Sequence, residues 1–255
     1  MSSLLFITRT WQGIGGLQRL SRDLWEGWHA RYGDKATLCA LEGSLFSGKS
    51  VLFAVRAVRL GIAAAKRGDR IHLGNASLAP LGWIIKKRVP SAHISLTASG
   101  LDLLFDRWWY QKILDVTLPS IEVICVISHS TGRIVRVRKW RGKIVIIPCG
   151  VYPAAARTAP SSGDVQLVTV GRLIPRKGVK WFIDAVMPLL VKKMPGIVYT
   201  VIGNGPDRSA IEHVIRKRGL ERNVQMVGEV GDSERDQILK DVHLLVVPNI
   251  PVRGD

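Results

Sequence analysis

Val168-Thr169-Val170-Gly171-Arg172-Leu173-Ile174-Pro175-Arg176-Lys177-Gly178-Val179 runs from a β-branched apolar segment, through a glycine and a basic loop, into residues whose apolar members recur at helical spacing: Trp181, Ile183, Val186 and Leu189. The pattern predicts strand, turn and helix in that order. Working outward, the same alternation recurs along the chain. Short Val- and Ile-rich runs at 4–8, 36–41, 93–97, 122–127 and 143–147 precede this stretch, and runs at 165–170, 198–202, 224–227 and 244–247 contain or follow it. Strands separated by helical segments call for parallel sheets built from right-handed crossovers, so the fold class is α/β.

The rhythm breaks once. Residues 148–163 hold Pro148, Pro153 and Pro160, three consecutive alanines and Gly163, with no hydrophobic period. The expected organisation is therefore a doubly wound domain over 1–150, a linker over 151–163 and a second domain over 164–255. Two such sheets present ligands with the carboxyl ends of their strands. The second domain contains four strand candidates and no closing helix after 244–247, fewer strands than such sheets usually hold. The expectation is an incomplete second domain, its C-terminal portion lying beyond the chain.

Composition narrows the function classes. The 255 residues are 47% hydrophobic and 22% charged, as in soluble globular proteins, so the chain buries a core and is not a disordered tail. Three cysteines without a C-x-x-C pair argue against a disulfide framework or a zinc site. No apolar stretch reaches the roughly 18 residues of a membrane span, and the first residues are too short for a signal peptide; a cytoplasmic location is expected. The net charge of +17 demands an anionic partner or surface. Residues 1–150 carry 22 basic and 9 acidic side chains, a balance of +13, together with seven of the eight tryptophans. Rings and cations interleave at Trp83, Lys86, Lys87 and Arg88 and again at Arg107, Trp108, Trp109 and Lys112, a combination suited to an anionic lipid leaflet; the alternative is core tryptophans beside solvated cations.

Two loops are candidates for phosphate. Gly13, Gly15 and Gly16 follow the first strand and open a helical segment over 17–32, where bare amides at the positive end of a helix can hold an anion; an ordinary strand-to-helix turn has the same look. Arg172 can grip a phosphate bidentately and Lys177 can add a point charge at the carboxyl end of the sheet; the alternative is a solvated basic loop. The histidines lack metal-ligand spacing, and neither a G-x-S-x-G elbow nor a Cys–His pairing is present.

Gly15-Gly16-Leu17-Gln18-Arg19, Ile146-Ile147-Pro148-Cys149-Gly150-Val151, Val170-Gly171-Arg172-Leu173 with Lys177-Gly178, Ile202-Gly203-Asn204-Gly205-Pro206, Val227-Gly228-Glu229-Val230 and Asp241-Val242 occur in this order across nearly the whole chain. In that order and spacing the sequence resembles the GT-B retaining glycosyltransferases of family 4. The resemblance implies two Rossmann-like domains, the first on the acceptor side, and transfer of a sugar from a UDP- or GDP-sugar to a saccharide or lipid-linked acceptor in cell-envelope or exopolysaccharide synthesis. Arg172 and Lys177 match the diphosphate-binding pair. Gly15, Gly16, Gly171, Gly203, Asn204, Gly205, Gly228, Glu229 and Val230 match donor-binding positions, and Ser99, Gly100 and Asp102 match the segment beside the reacting sugar. No metal or other cofactor is implied, since the cations take the metal's place.

Two departures from the family pattern stand out. Ser99 occupies a position where histidine is usual, making it a sugar contact but not a general base. The family's glutamate pair falls beyond Asp255, so the chain by itself is expected to bind donor poorly, and an inactive fragment is a competing reading. A basic nucleic-acid-binding protein is the other rival; it lacks an RNP, helix-turn-helix or zinc signature, and the expectation is no nucleic-acid partner. A dinucleotide-binding module fails for want of the third glycine of G-x-G-x-x-G.

Overall fold

A computed structural model describes residues 3–9, 11, 15–41, 48–138, 140–150 and 163–252. The chain divides into two compact units, Met1–Tyr152 and Pro153–Asp255. Most of the expected linker, 151–162, lies outside the described residues, as do Gly13 and Ile14.

The first unit is a six-stranded, wholly parallel sheet of order β2-β1-β3-β4-β5-β6, with β1 at Leu4–Thr8, β2 at Ala36–Ala40, β3 at Arg70–Leu73, β4 at His93–Ala98, β5 at Val123–Val126 and β6 at Lys143–Ile146. Every residue of β1 is buried, as a central strand covered on both faces requires. Sequence periodicity overlooked β3. Its four residues, Arg70-Ile71-His72-Leu73, carry one charged and one titratable side chain, and no apolar run announces them; they are a strand because β1 and β4 flank them in register. Around the sheet lie α1 (Gly16–Tyr32), α2 (Gly48–Lys66), α3 (Ala79–Arg88), α4 (Leu101–Leu104), α5 (Trp108–Thr117) and α6 (His129–Arg136). Leu5, Ile7, Ile71, Leu73, Ile94 and Leu96 interdigitate with Ala57, Ala64 and Ile85 of α2 and α3. Gly61 permits that approach, since a Cβ there would stand 2.3 Å from the Ile85 Cδ1.

His72 is buried in the sheet against the rings of Phe6 and Trp28, which also touch each other. Ser95 Oγ donates to the Ile71 carbonyl and so accepts from His72 Nδ1 at 2.8 Å, which leaves Nε2 to accept from Thr97 Oγ1 at 2.8 Å. Burial holds this imidazole neutral, its pKa pushed down to about 3.

The second unit is a four-stranded parallel sheet of order β10-β7-β8-β9, with β7 at Gln166–Val170, β8 at Val198–Ile202, β9 at Val224–Gly228 and β10 at Leu244–Leu245. All four expected strands form, the last over two residues only. The helix after the basic loop runs as α7 (Val179–Trp181), a π-helical segment at Phe182–Val186 and α8 (Met187–Lys193). Pro188 lacks an amide hydrogen and sits just after the π turn, where the i→i−4 ladder is interrupted. The remaining helices are α9 (Arg208–Arg218) and α10 (Asp232–Lys240). Leu167, Leu173, Ile183, Met187, Tyr199 and Val201 form the core. Thr169 Oγ1 donates to the Val246 carbonyl at 2.7 Å and accepts from the Tyr199 hydroxyl at 2.6 Å, tying β8 through β7 to the chain beyond β10. Burial pushes the Tyr199 phenol up to about 12.

Candidate functional site

The second unit gathers its glycine turns at the carboxyl ends of β7, β8 and β9. The Gly171 amide donates to Ile202 O at 2.9 Å, and the Gly203 amide donates to Gly228 O at 2.6 Å. Gly203 has φ +134°, and a Cβ there would lie 2.0 Å from the Gly171 carbonyl oxygen, so the stack closes only without side chains. Gly205 likewise abuts the Leu173 carbonyl, and the Asn204 Oδ1 accepts from the Gly205 amide at 2.9 Å. The expected donor positions Gly171, Gly203, Asn204, Gly205 and Gly228 are thus one continuous ledge, with the exposed Glu229 and the half-buried Val230 following β9. Val230 packs toward Val168, Ile202 and Val242.

Arg172 and Lys177 rise from this ledge. Pro175–Lys177 form a 3₁₀ turn that ends on Gly178 at φ +66°, from which α7 starts. The Lys177 Cε passes 3.8 Å from the point where a Gly171 Cβ would be, so its stem lies along the glycine turn. Arg172 is exposed and Lys177 half-buried, and among the described residues neither forms an ion pair with a carboxylate. Two cations without a carboxylate partner among the described residues, beside the glycine turns, form an electropositive edge suited to a diphosphate.

In the first unit Gly15 and Gly16 begin α1, whose first turn has no side-chain cap and no acidic residue. Ser99, Gly100 and Asp102 follow β4. The Asp102 Oδ1 accepts from the Ser99 amide, the Ser99 hydroxyl and the Gly100 amide, each at 3.0 Å, and Oδ2 accepts from the Ala76 amide at 2.9 Å. Sequence reasoning places this carboxylate as a substrate contact; the structure shows its oxygens engaged in fastening the β4 loop to the turn after β3. The adjoining Tyr110 hydroxyl donates to the Asp102 carbonyl at 2.5 Å, and burial, with the Asp102 charge, pushes its pKa up to about 12. Arg9, half-buried at the end of β1, went unnoticed in the sequence because nothing local distinguishes it from any other strand-end cation.

The ring-and-cation segments separate into two kinds. Lys87 Nζ lies 5.5 Å from the Trp83 ring and Lys112 Nζ lies 5.3 Å from the Trp108 ring. Trp83 is half-buried and Trp140 is core, whereas Trp108 is 73% exposed and Trp109 48% exposed, beside exposed Leu104, Phe105 and Val116. No helix among the described residues is long and apolar enough to cross a membrane. No group of three His, Cys, Asp or Glu side chains among them converges on a metal position.

These two parallel-sheet units have the GT-B fold. The solved lipopolysaccharide outer core galactosyltransferase WaaB superimposes with a TM-score of 0.69 at 16% identity, covering 97% of this chain and 74% of that one. Anabaena HepE, solved in complex with UDP and glucose, gives a TM-score of 0.67 at 14% identity over 96% of this chain and 73% of that chain. Residues 164–254 match the profile of the family described as Glycosyl transferases group 1, which covers the ledge, Arg172 and Lys177. Among curated relatives, the GPI3 subunit of phosphatidylinositol N-acetylglucosaminyltransferase from Saccharomyces cerevisiae is 26% identical over 142 residues, 51% of this chain and 31% of that protein. Glycogen synthase of Mycobacterium tuberculosis is 32% identical over 111 residues, 42% of this chain and 26% of its own length. The matched segments span under a third of these curated relatives.

Proposed function

We propose that this chain carries the nucleotide-sugar machinery of a retaining, family 4 glycosyltransferase that moves a hexose from a UDP- or GDP-sugar to a saccharide or lipid-linked acceptor in envelope or exopolysaccharide synthesis. The observation that carries the reading is the glycine ledge with Arg172 and Lys177, neither paired with a carboxylate among the described residues, lying within the stretch that matches Glycosyl transferases group 1. The ligands held by Anabaena HepE, UDP and glucose, favour a nucleotide-diphosphate donor.

The chemistry is chiefly stabilisation of the leaving group. As the glycosidic bond to the diphosphate breaks, negative charge collects on the bridging and terminal oxygens; Arg172 spans two of them and Lys177 opposes a third, with no metal needed. Gly203 and Gly205 let the turns stack closely enough to form the ledge along which the nucleotide would lie. Gly15 and Gly16 offer a second set of amides suited to phosphate. Ser99 and Gly100 present a hydroxyl and a turn backbone beside the sugar, in a geometry that Asp102 maintains. The exposed Trp108, Trp109 and Lys112 would rest on the anionic inner face of the plasma membrane, making the protein peripheral there.

Calorimetric titration with UDP and with GDP tests the central step. Replacing Arg172 and Lys177 together by Ala is expected to weaken nucleotide-diphosphate binding by about 100-fold, the loss of two charge-assisted contacts at about 1.4 kcal/mol each. Unchanged affinity in the double variant sinks the reading.

A further inference from the structure

A cavity of about 620 Å³ in the first unit opens at the carboxyl edge of the sheet. It sits between β1 and β3, where the strand order reverses: β2 lies on one side of β1, and β3 to β6 extend on the other. Open parallel sheets bind ligands at such a switch point. Arg9 closes β1 and Asn75, Ser77 and Leu78 follow β3, so both sides of the reversal line the space.

Its walls are apolar over most of their area. Phe53 and Ala54 of α2 face Leu78 and Leu81, while Leu101, Phe105 and Trp109 continue the apolar lining outward. The last three are 55%, 51% and 48% exposed, so the mouth merges with bare apolar surface. A polar ligand alone leaves these walls wet; a chain of methylenes covers them, at about 0.8 kcal/mol per buried CH₂.

One cation interrupts this lining. Arg9 Nη1 donates to Ser77 Oγ at 2.9 Å, and Ser77 Oγ donates onward to Asn75 Oδ1 at 2.6 Å. No carboxylate among the described residues pairs with the guanidinium, and burial lowers its pKa from the ordinary arginine range. Asp102 lies in the same lining, but four donors occupy its oxygens. The neutral Tyr110 phenol adds no negative charge. A half-buried guanidinium that, among the described residues, spends one of its five donors on Ser77 gains charge-assisted bonds when an oxyanion joins it.

From these features together we infer that the cavity binds an amphipathic anion, a phosphate-bearing lipid whose chain lies against Phe53, Leu78 and Trp109 and whose phosphate is held by Arg9. The inference deepens the glycosyltransferase reading, on which it rests, by naming the acceptor class: a lipid phosphate carrying the hydroxyl or sugar to be glycosylated. The phosphate positions the acceptor and takes no part in the transfer.

The test uses the whole 255-residue chain and three probes below their micelle-forming concentrations: decyl phosphate, inorganic phosphate and uncharged decyl maltoside, followed by tryptophan fluorescence and calorimetry. Decyl phosphate should bind at least 10-fold more tightly than either other probe. Arg9→Gln should remove that advantage while leaving decyl maltoside unaffected, and Arg9→Lys should restore part of it. Ala54→Phe, which fills the cavity with Arg9 intact, should weaken both alkyl probes. Equal binding of decyl phosphate to the native chain and Arg9→Gln overturns the inference, and inorganic phosphate binding as tightly as decyl phosphate reduces the site to one for free anions and overturns the lipid assignment. UDP titrated into the same samples keeps the two ideas apart. Loss of decyl phosphate binding with UDP retained counts against this site alone, whereas decyl phosphate binding with no UDP or GDP binding even at about millimolar nucleotide refutes the glycosyltransferase reading and leaves a lipid-phosphate site.

Discussion

Replacing Asp102 by Asn separates a structural latch from a substrate contact, because the two side chains are isosteric and differ in charge and in the exchange of one acceptor oxygen for an NH₂ group. The native carboxylate accepts four hydrogen bonds at 2.9 to 3.0 Å, three of them from the amides of Ala76, Ser99 and Gly100. With Asn, Oδ1 keeps its three partners but each bond loses its charge assistance, a cost of about 1 kcal/mol apiece. The new NH₂ then confronts the Ala76 amide, leaving a buried donor unsatisfied at about 1–3 kcal/mol. Half-burial of Asp102 and relaxation of the loop reduce the gross sum, and the first unit is expected to lose about 2–4 kcal/mol. At a urea dependence of about 2 kcal/mol/M the midpoint falls by roughly 1–2 M. Tryptophan fluorescence reports this unit selectively, since seven of the eight tryptophans precede residue 151, and a Trp181→Phe background removes the remaining signal. In that background the fluorescence transition is the first unit's, and it should move. A midpoint unchanged within about 0.25 M, equivalent to about 0.5 kcal/mol, accompanied by lost ligand binding, refutes the latch and makes Asp102 a direct contact.

Three further outcomes follow from the geometry. Gly203→Ala places a Cβ 2.0 Å from the Gly171 carbonyl at φ +134°, where neither backbone can yield; the second unit should lose about 2–4 kcal/mol and melt at least roughly 10 °C lower, and an unchanged melting curve contradicts the stacked turns. His72, with a pKa of about 3 in the folded protein against about 6.5 unfolded, leaves the unfolded chain holding the extra proton between those values. Its contribution is therefore complete above about pH 6.5 and is lost as pH falls, at about 1.4 kcal/mol per unit; His72→Gln should flatten the first unit's stability between pH 6 and pH 4 by about 2–3 kcal/mol relative to native, as read from urea midpoints. Replacing Trp108, Trp109 and Lys112 together by Gln should cut sedimentation with phosphatidylglycerol-containing vesicles by at least about 10-fold, with little binding to phosphatidylcholine vesicles in either protein. Equal sedimentation of native and variant chains removes the membrane surface from the proposal.

Much of the fold is legible in the sequence because buried parallel strands announce themselves as apolar runs. The run ending in Val168-Thr169-Val170, the turn at Gly171 and the helical spacing after Gly178 need only local pattern, and they place Arg172 and Lys177 at a sheet's carboxyl edge without any coordinates. The glycines of the second unit were equally visible as loop markers. What pattern could not supply was every feature created by two segments distant along the chain. Arg70-Ile71-His72-Leu73 is a strand because β1 and β4 bracket it, and a four-residue stretch with two polar side chains contains no such instruction. The bond from the Ala76 amide to Asp102, twenty-six positions later, is likewise invisible in local sequence. Arg9 stands out only once α2 and the turn after β3 line a cavity with it and no carboxylate among the described residues pairs with it. Local sequence thus determined most of the elements, β3 excepted, and which loops carry charge. Tertiary structure decided which polar groups are already satisfied and which still lack a partner, since that depends on who else is desolvated with them.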